Sequence, residues 1–212
     1  MEFNETVIYL KKYLLDEMPE YKNYSLKFNN TLDGQVSLIR SLMNLRKPKP
    51  VTEEFKKVEK IYLQTLLKNM GLVDCFSLSL TDYEKIALWR GNIVRLKADA
   101  IVNAGNTDML GCFVPHHNCL GPSTRGRVTF SDQNVLKTCY LHCLELARKL
   151  HLRTLVFPCI STGEQGFPKN VAAKIATETV KEYLLVHSDA PAVVFDVFTD
   201  IDERLYSELL YE

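Results

Sequence analysis

A layered α/β fold is what this sequence predicts, and three observations predict it. From residue 86 onward, short apolar runs alternate with amphipathic helical stretches, and several runs end in loops of glycine, asparagine and serine. The first 75 residues carry helical periodicity alone. A chain of 212 residues is long enough for one such domain with an appended segment, so the expected division is a helical unit over 1–75 and an α/β unit over 76–212.

Residues 3–17 set Phe3, Val7, Ile8, Leu10, Leu14 and Leu15 near one helical stripe. A second helix from Asp33 to Arg46 turns Val36, Ile39, Leu42 and Met43 inward. Lys47-Pro48-Lys49-Pro50 stops it, because proline lacks the amide proton and drives its neighbour out of helical geometry. Thr52 then caps a third helix, with Glu53 and Glu54 at the positive end of its dipole. That helix continues through Phe55, Val58, Ile61, Tyr62 and Leu66 toward Gly71.

Beyond Cys75 the pattern predicts strands over 86–90, 93–96 and 99–102, the last apolar enough to be buried on both faces. Trp89, the single tryptophan, reads as core. A helix over 133–150, a buried strand over 154–160 and a helix over 168–187 follow, the last opening with proline in its first turn. A strand over 192–198 and a helix over 202–211 close the chain.

Composition narrows the function. Twenty-six basic residues balance 26 acidic ones, which excludes a general grip on the phosphate backbone of nucleic acid and leaves room for one small anionic ligand. Met1-Glu2-Phe3-Asn4-Glu5 leads into no secretory apolar core, and no run is long enough to span a bilayer. A cytoplasmic protein is expected, its six cysteines serving as thiols or ligands rather than disulfides.

Three loops carry chemistry. Ile160-Ser161-Thr162-Gly163-Glu164-Gln165-Gly166-Phe167-Pro168 joins a buried strand to a helix, and its two glycines allow a tight turn that aims amide protons at one point. With the positive end of a helix behind it, that loop suits a phosphate or diphosphate; the plainer reading is an ordinary strand-to-helix turn. Asn103 and Asn106 follow the strand Asp99–Val102, and asparagine matches ribose hydroxyls as readily as it serves turn chemistry. Cys112, His117 and Cys119 form C-x4-H-x-C, two thiolates and an imidazole that suit Zn²⁺ with a fourth position open. His116 is a substitute ligand by spacing, and two buried cysteines beside a surface histidine is the bland alternative. Cys139, His142 and Cys143 share one helical face with Tyr140, Leu144 and Leu146 nearby, and there the reading is packing.

Together these segments resemble the macrodomain family of ADP-ribose-binding α/β/α modules, and within it the zinc-containing members that act as protein-ADP-ribose hydrolases. The resemblance covers nearly the whole chain. Leu42 through Pro50 matches the N-terminal helical extension of that subfamily, Leu88-Trp89-Arg90-Gly91-Asn92-Ile93 its adenine-side segment, and Asp99 through Asn106 its hallmark strand and loop. Gly111 through Cys119 matches the zinc loop, and Cys159 through Pro168 the diphosphate loop.

The resemblance implies a three-layer fold with a mixed sheet. Asn92 and Ile93 then hold adenine, and Asn106 contacts the distal ribose and is the catalytic residue. Ser161, Thr162, Gly163, Glu164, Gln165, Gly166 and Phe167 wrap the diphosphate, and Cys112, His117 and Cys119 bind Zn²⁺. The implied activity is removal of mono-ADP-ribose from modified protein side chains, and the alternative is a reader that binds ADP-ribose without turnover. Two departures stand out. Asn92 replaces the family's usual aspartate, keeping an acceptor oxygen and losing the charge. After Cys119 the chain passes directly to Leu120-Gly121-Pro122, where family members insert a helix and a strand.

Overall fold

The structure is a computed structural model that describes residues 1–103, 128–163 and 166–211. Its two compact units divide between Gly71 and Leu72.

In the first unit, α1 (Phe3–Glu17), the short α2 (Lys22–Ser25), α3 (Leu32–Leu45) and α4 (Glu53–Met70) follow in order. Val7, Leu10 and Leu14 of α1 close against Leu38, Ile39 and Leu42 of α3 and Phe55, Val58 and Tyr62 of α4. Thr31 and Thr52 cap α3 and α4 by accepting from the Gly34 and Phe55 amides. Beyond α3, Arg46 donates to Glu17 at 2.6 Å and lies over the Phe55 ring. The Lys-Pro segment therefore leaves the helix at a position pinned by charge.

The second unit holds β1 (Val73–Asp74), β2 (Ile86–Arg90), β3 (Leu96–Lys97), β4 (Ala100–Ile101), α5 (Phe130–Lys149), β5 (Thr154–Pro158), α6 (Lys169–Val186), β6 (Ala192–Val197) and α7 (Asp200–Leu210). The main sheet has the order β2-β6-β5-β4, and each of these pairings is parallel. β1 and β3 form a separate parallel ribbon.

Side-chain alternation sorts the sheet into two faces. Ile86, Leu155, Phe157, Val193, Phe195 and Val197 pack with α5, α6 and α7 through Tyr140, Leu144, Ala176, Val180 and Tyr206. Ala87, Val156 and Val194 face the other way, onto Cys75 and Leu96, with Trp89 and Ile93 alongside. This is the expected α/β class with its sheet between two layers. Among the described residues the second layer is the 73–98 segment rather than a long helix.

Two expectations are corrected. Residues 93–95 are not a strand, and pairing begins only at Leu96: Ile93–Arg95 form a 3-10 turn because Asn92 caps it, accepting from the Val94 amide at 3.3 Å. The strand near 99–102 is not buried on both faces. β4 pairs only with β5 among the described residues, and Ile101 is 41% exposed. Its start is held by Asp99, which accepts from the Arg153 amide at 2.6 Å and the Thr154 amide at 3.2 Å. Those bonds and the Arg153 side chain keep that carboxyl below its ordinary range.

Candidate functional site

Parallel pairing puts the carboxyl ends of β2, β6, β5 and β4 along one edge, where open α/β sheets hold their ligands. Three of the loops that the sequence singled out leave that edge. After β2 come Gly91, Asn92 and Ile93; after β5 come Cys159 to Phe167; after β4 come Val102 and the exposed Asn103. With strands about 4.8 Å apart, the β2 and β5 ends stand roughly 10 Å from each other, with β6 between them.

The β2 end is built on a tryptophan. A Cβ placed on Gly91 would meet Trp89 Cη2 at 2.4 Å and Cζ2 at 2.7 Å, so the indole lies on the glycine backbone just before Asn92. Gly91 donates to the Val197 carbonyl at 3.2 Å, which ties this turn to the end of β6. Asn92 is exposed and Ile93 half-buried. Arg90 pairs with Asp200 and, at 2.7 Å, with Glu203, joining the same turn to α7. Phe198 follows β6 directly, one residue past the Val197 carbonyl that Gly91 bonds, and is 75% exposed. Residue patterning missed it, because an apolar residue closing a strand reads as core.

The β5 end is a strained, internally bonded loop. Ser161 is buried at φ 65°, a left-handed geometry that costs a non-glycine residue roughly 1–2 kcal/mol. Its carbonyl accepts from the Phe167 amide at 3.1 Å, and the Gly163 carbonyl accepts from the Gly166 amide at 3.1 Å. Gly166 itself sits at φ 68°, where glycine is needed. Thr162 donates back to the Cys159 carbonyl at 3.2 Å, and Phe167 is buried in the helix-side core. Behind the loop, α6 begins at Lys169 and brings its positive end.

A buried polar cluster underpins this loop. The Tyr206 hydroxyl bonds to Tyr140 and Cys159, and Tyr140 also bonds to the Ile160 backbone. Burial pushes the Cys159 thiol up to about 12, which holds it protonated and unreactive. Lys169 reaches Asp202 at 2.9 Å and the Thr199 hydroxyl at 2.9 Å. Asp202 also accepts from the Thr199 amide and hydroxyl, so one buried carboxylate fixes the first turns of α6 and α7.

Asp196 is different. It is 7% exposed near the carboxyl end of β6, and among the described residues its Oδ1 is buried without a hydrogen-bond partner. Burial pushes this carboxyl up to about 7. Nothing in the sequence pattern marks it.

Of the residues read from the sequence, Asn92, Ile93, Ser161, Thr162, Gly163, Gly166 and Phe167 stand along the carboxyl edge of the second unit. Asn106, Glu164, Gln165 and the zinc set Cys112, His117 and Cys119 lie outside the described residues. Among the described residues no group of three or more His, Cys, Asp and Glu side chains is placed to hold a metal ion. Cys139 and His142 are exposed on α5 and Cys143 is half-buried; Leu146, expected to pack with them, is 58% exposed. No helix among the described residues is long and apolar enough to cross a membrane.

Comparison with known proteins agrees with this geometry. Residues 94–176 match the Macro domain model. A protein-ADP-ribose hydrolase of Treponema medium is 31% identical, with 99% of this chain and 100% of that protein covered. The chain belongs to the macro domain family. A protein-ADP-ribose hydrolase of Staphylococcus aureus (strain Mu50 / ATCC 700699) is also 31% identical, over 94% of each chain. Among solved structures, the Trypanosoma brucei macrodomain in complex with ADP-ribose shares the fold at a TM-score of 0.57 and 21% identity, over 80% of this chain and 94% of that one. In this macro domain the Asn92 oxygen is engaged as a turn cap, and the loop after β5 leads into the amino end of α6.

Proposed function

We propose that this macro domain is a cytoplasmic hydrolase that removes mono-ADP-ribose from modified protein side chains. The observation that carries the reading is the strand order β2-β6-β5-β4. It sets the Asn92–Ile93 turn, the loop after β5 and the end of β4 side by side along one edge, which supports an order of adenine, diphosphate and distal ribose. That is the sequence of groups along ADP-ribose. The names of the Treponema and Staphylococcus relatives support a hydrolase, and the ADP-ribose held by the Trypanosoma macrodomain supports the ligand. Cys75, Cys139, Cys143 and Cys159 are free thiols, which suits a reducing compartment.

In this reading the Ser161–Phe167 loop and the amino end of α6 hold the diphosphate, and Asn92 and Ile93 hold the base. Asn106 bonds the distal ribose, whose anomeric carbon carries the scissile bond. Cys112, His117 and Cys119 form a donor set suited to zinc, which when bound polarises an oxygen ligand or orients a ribose hydroxyl. A reader that binds without turnover is the second reading, and one observation favours it. The match to the Treponema hydrolase runs over 267 positions against the 212 residues of this chain, so at least 55 aligned positions are unfilled here.

The deciding experiment measures free ADP-ribose released from a mono-ADP-ribosylated protein by the purified chain, with its zinc quantified. Release that stops on chelation, and in Cys112→Ser and Asn106→Ala variants, is expected. Binding of ADP-ribose by zinc-loaded protein without release would overturn the hydrolase reading and leave the reader.

A further inference from the structure

Among the described residues the Asp196 Oδ1 is buried without a hydrogen-bond partner, and its place in the sheet bears on what completes it. In register it stands opposite Trp89 on β2 and Pro158 on β5. Val193, Phe195 and Val197 of the same strand turn toward the helices, while Val194 packs with Ala87, Trp89 and Ile93 on the other face. Alternation puts Asp196 on that second face, one residue short of the strand's carboxyl end, on the side where Trp89 and Ile93 lie. Asn92, in the turn that follows β2, already spends its oxygen capping Val94.

Resting on the ADP-ribose reading above, we propose that Asp196 is a further, specificity-setting residue for the base, beside Asn92 and Ile93. It accepts a hydrogen bond from the exocyclic amine of adenine on its carbonyl oxygen and donates its O–H to the adjacent ring nitrogen. Adenine presents such a donor beside an acceptor, and a neutral carboxyl presents the complement. Because the group keeps its proton to about pH 7, it offers both functions together. Its isolation then has a cause: a buried carboxyl without a protein partner is costly unless a ligand completes it.

The test is calorimetric titration of the full chain at pH 6 with ADP-ribose and with its analogue carrying unsubstituted purine in place of adenine. Loss of one partner of a matched pair leaves a buried oxygen unpaired, so wild type favours ADP-ribose by about tenfold or more. In Asp196→Leu that preference falls to within about twofold. Should the Leu variant fail to fold, Asp196→Asn serves, since its amide oxygen and N–H keep the complement; the preference survives in that variant. Equal wild-type affinity for both ligands, undiminished preference in Asp196→Leu, or lost preference in folded Asp196→Asn overturns the proposal while the ADP-ribose reading stands. Failure of the wild-type chain to bind either ligand overturns both.

Discussion

Asp196→Asn probes the energetic cost of placing a carboxyl near the end of a central strand. The ordinary value of that carboxyl is 3.8 and burial raises it to about 7. Below about pH 4 the folded and unfolded chains both hold the proton, so the group costs no ionisation energy. Between about pH 4 and pH 7 only the unfolded chain releases it, and each pH unit removes about 1.4 kcal/mol of stability. Above about pH 7 both states are ionised and the loss stays constant at ~4 kcal/mol in total. Asparagine has nearly the same shape and does not titrate. Relative to wild type, the Asn variant therefore gains about 3 kcal/mol between pH 5 and pH 8, whatever its offset at either pH. The assay is urea unfolding of ligand-free protein at the two pH values, followed by fluorescence. Trp89 is the only tryptophan and stands opposite Asp196 in register, so the signal reports this unit. A stability difference between the two proteins that is the same at pH 5 and pH 8 within about 0.5 kcal/mol would refute the reasoning, because it would show that Asp196 ionises in the folded chain as it does in water.

Other outcomes follow from the same packing. Gly91→Ala puts a methyl within 2.4–2.9 Å of the Trp89 ring, and overpacking of this kind costs about 1–3 kcal/mol; the melting temperature should fall, the Trp89 emission should shift and ADP-ribose binding should weaken together. Gly166→Ala forces φ 68° on a residue with a Cβ and should cost about 1 kcal/mol in melting. Gly163→Ala meets nothing within 4 Å, so thermal melting should place it within about 0.5 kcal/mol of wild type. Lys169→Met removes the cation from Asp202, which is 5% exposed and still capped by Thr199, and denaturant unfolding should show a loss of about 2 kcal/mol. Lys169 is itself about a third exposed, so solvent screening keeps that loss below the cost of breaking a fully buried pair.

Most of the fold is legible in the sequence because it rests on local signals. Helical periodicity marks α1, α3, α4 and α6 to within a residue or two, and Thr52 announces its own cap. Apolar runs mark β2, β5 and β6, since side chains of these strands are packed on both faces of the sheet. The glycine pair after β5 is likewise visible one residue at a time. The tertiary structure decided what depends on neighbours. An apolar strand at 99–102 reads the same in the middle of a sheet or at its limit, and pairing alone leaves Ile101 exposed. Asn92 turns 93–95 out of the extended form through one side-chain bond, which outweighs the β-branched residues that follow it. Phe198 and Asp196 lie in or just past the same run, Val193 to Phe198, yet one ring is exposed and one carboxyl buried. Hydropathy ranks them the opposite way. The physical reason is that burial belongs to a position in the sheet: the strand ends before Phe198, while Asp196 still lies between β2 and β5.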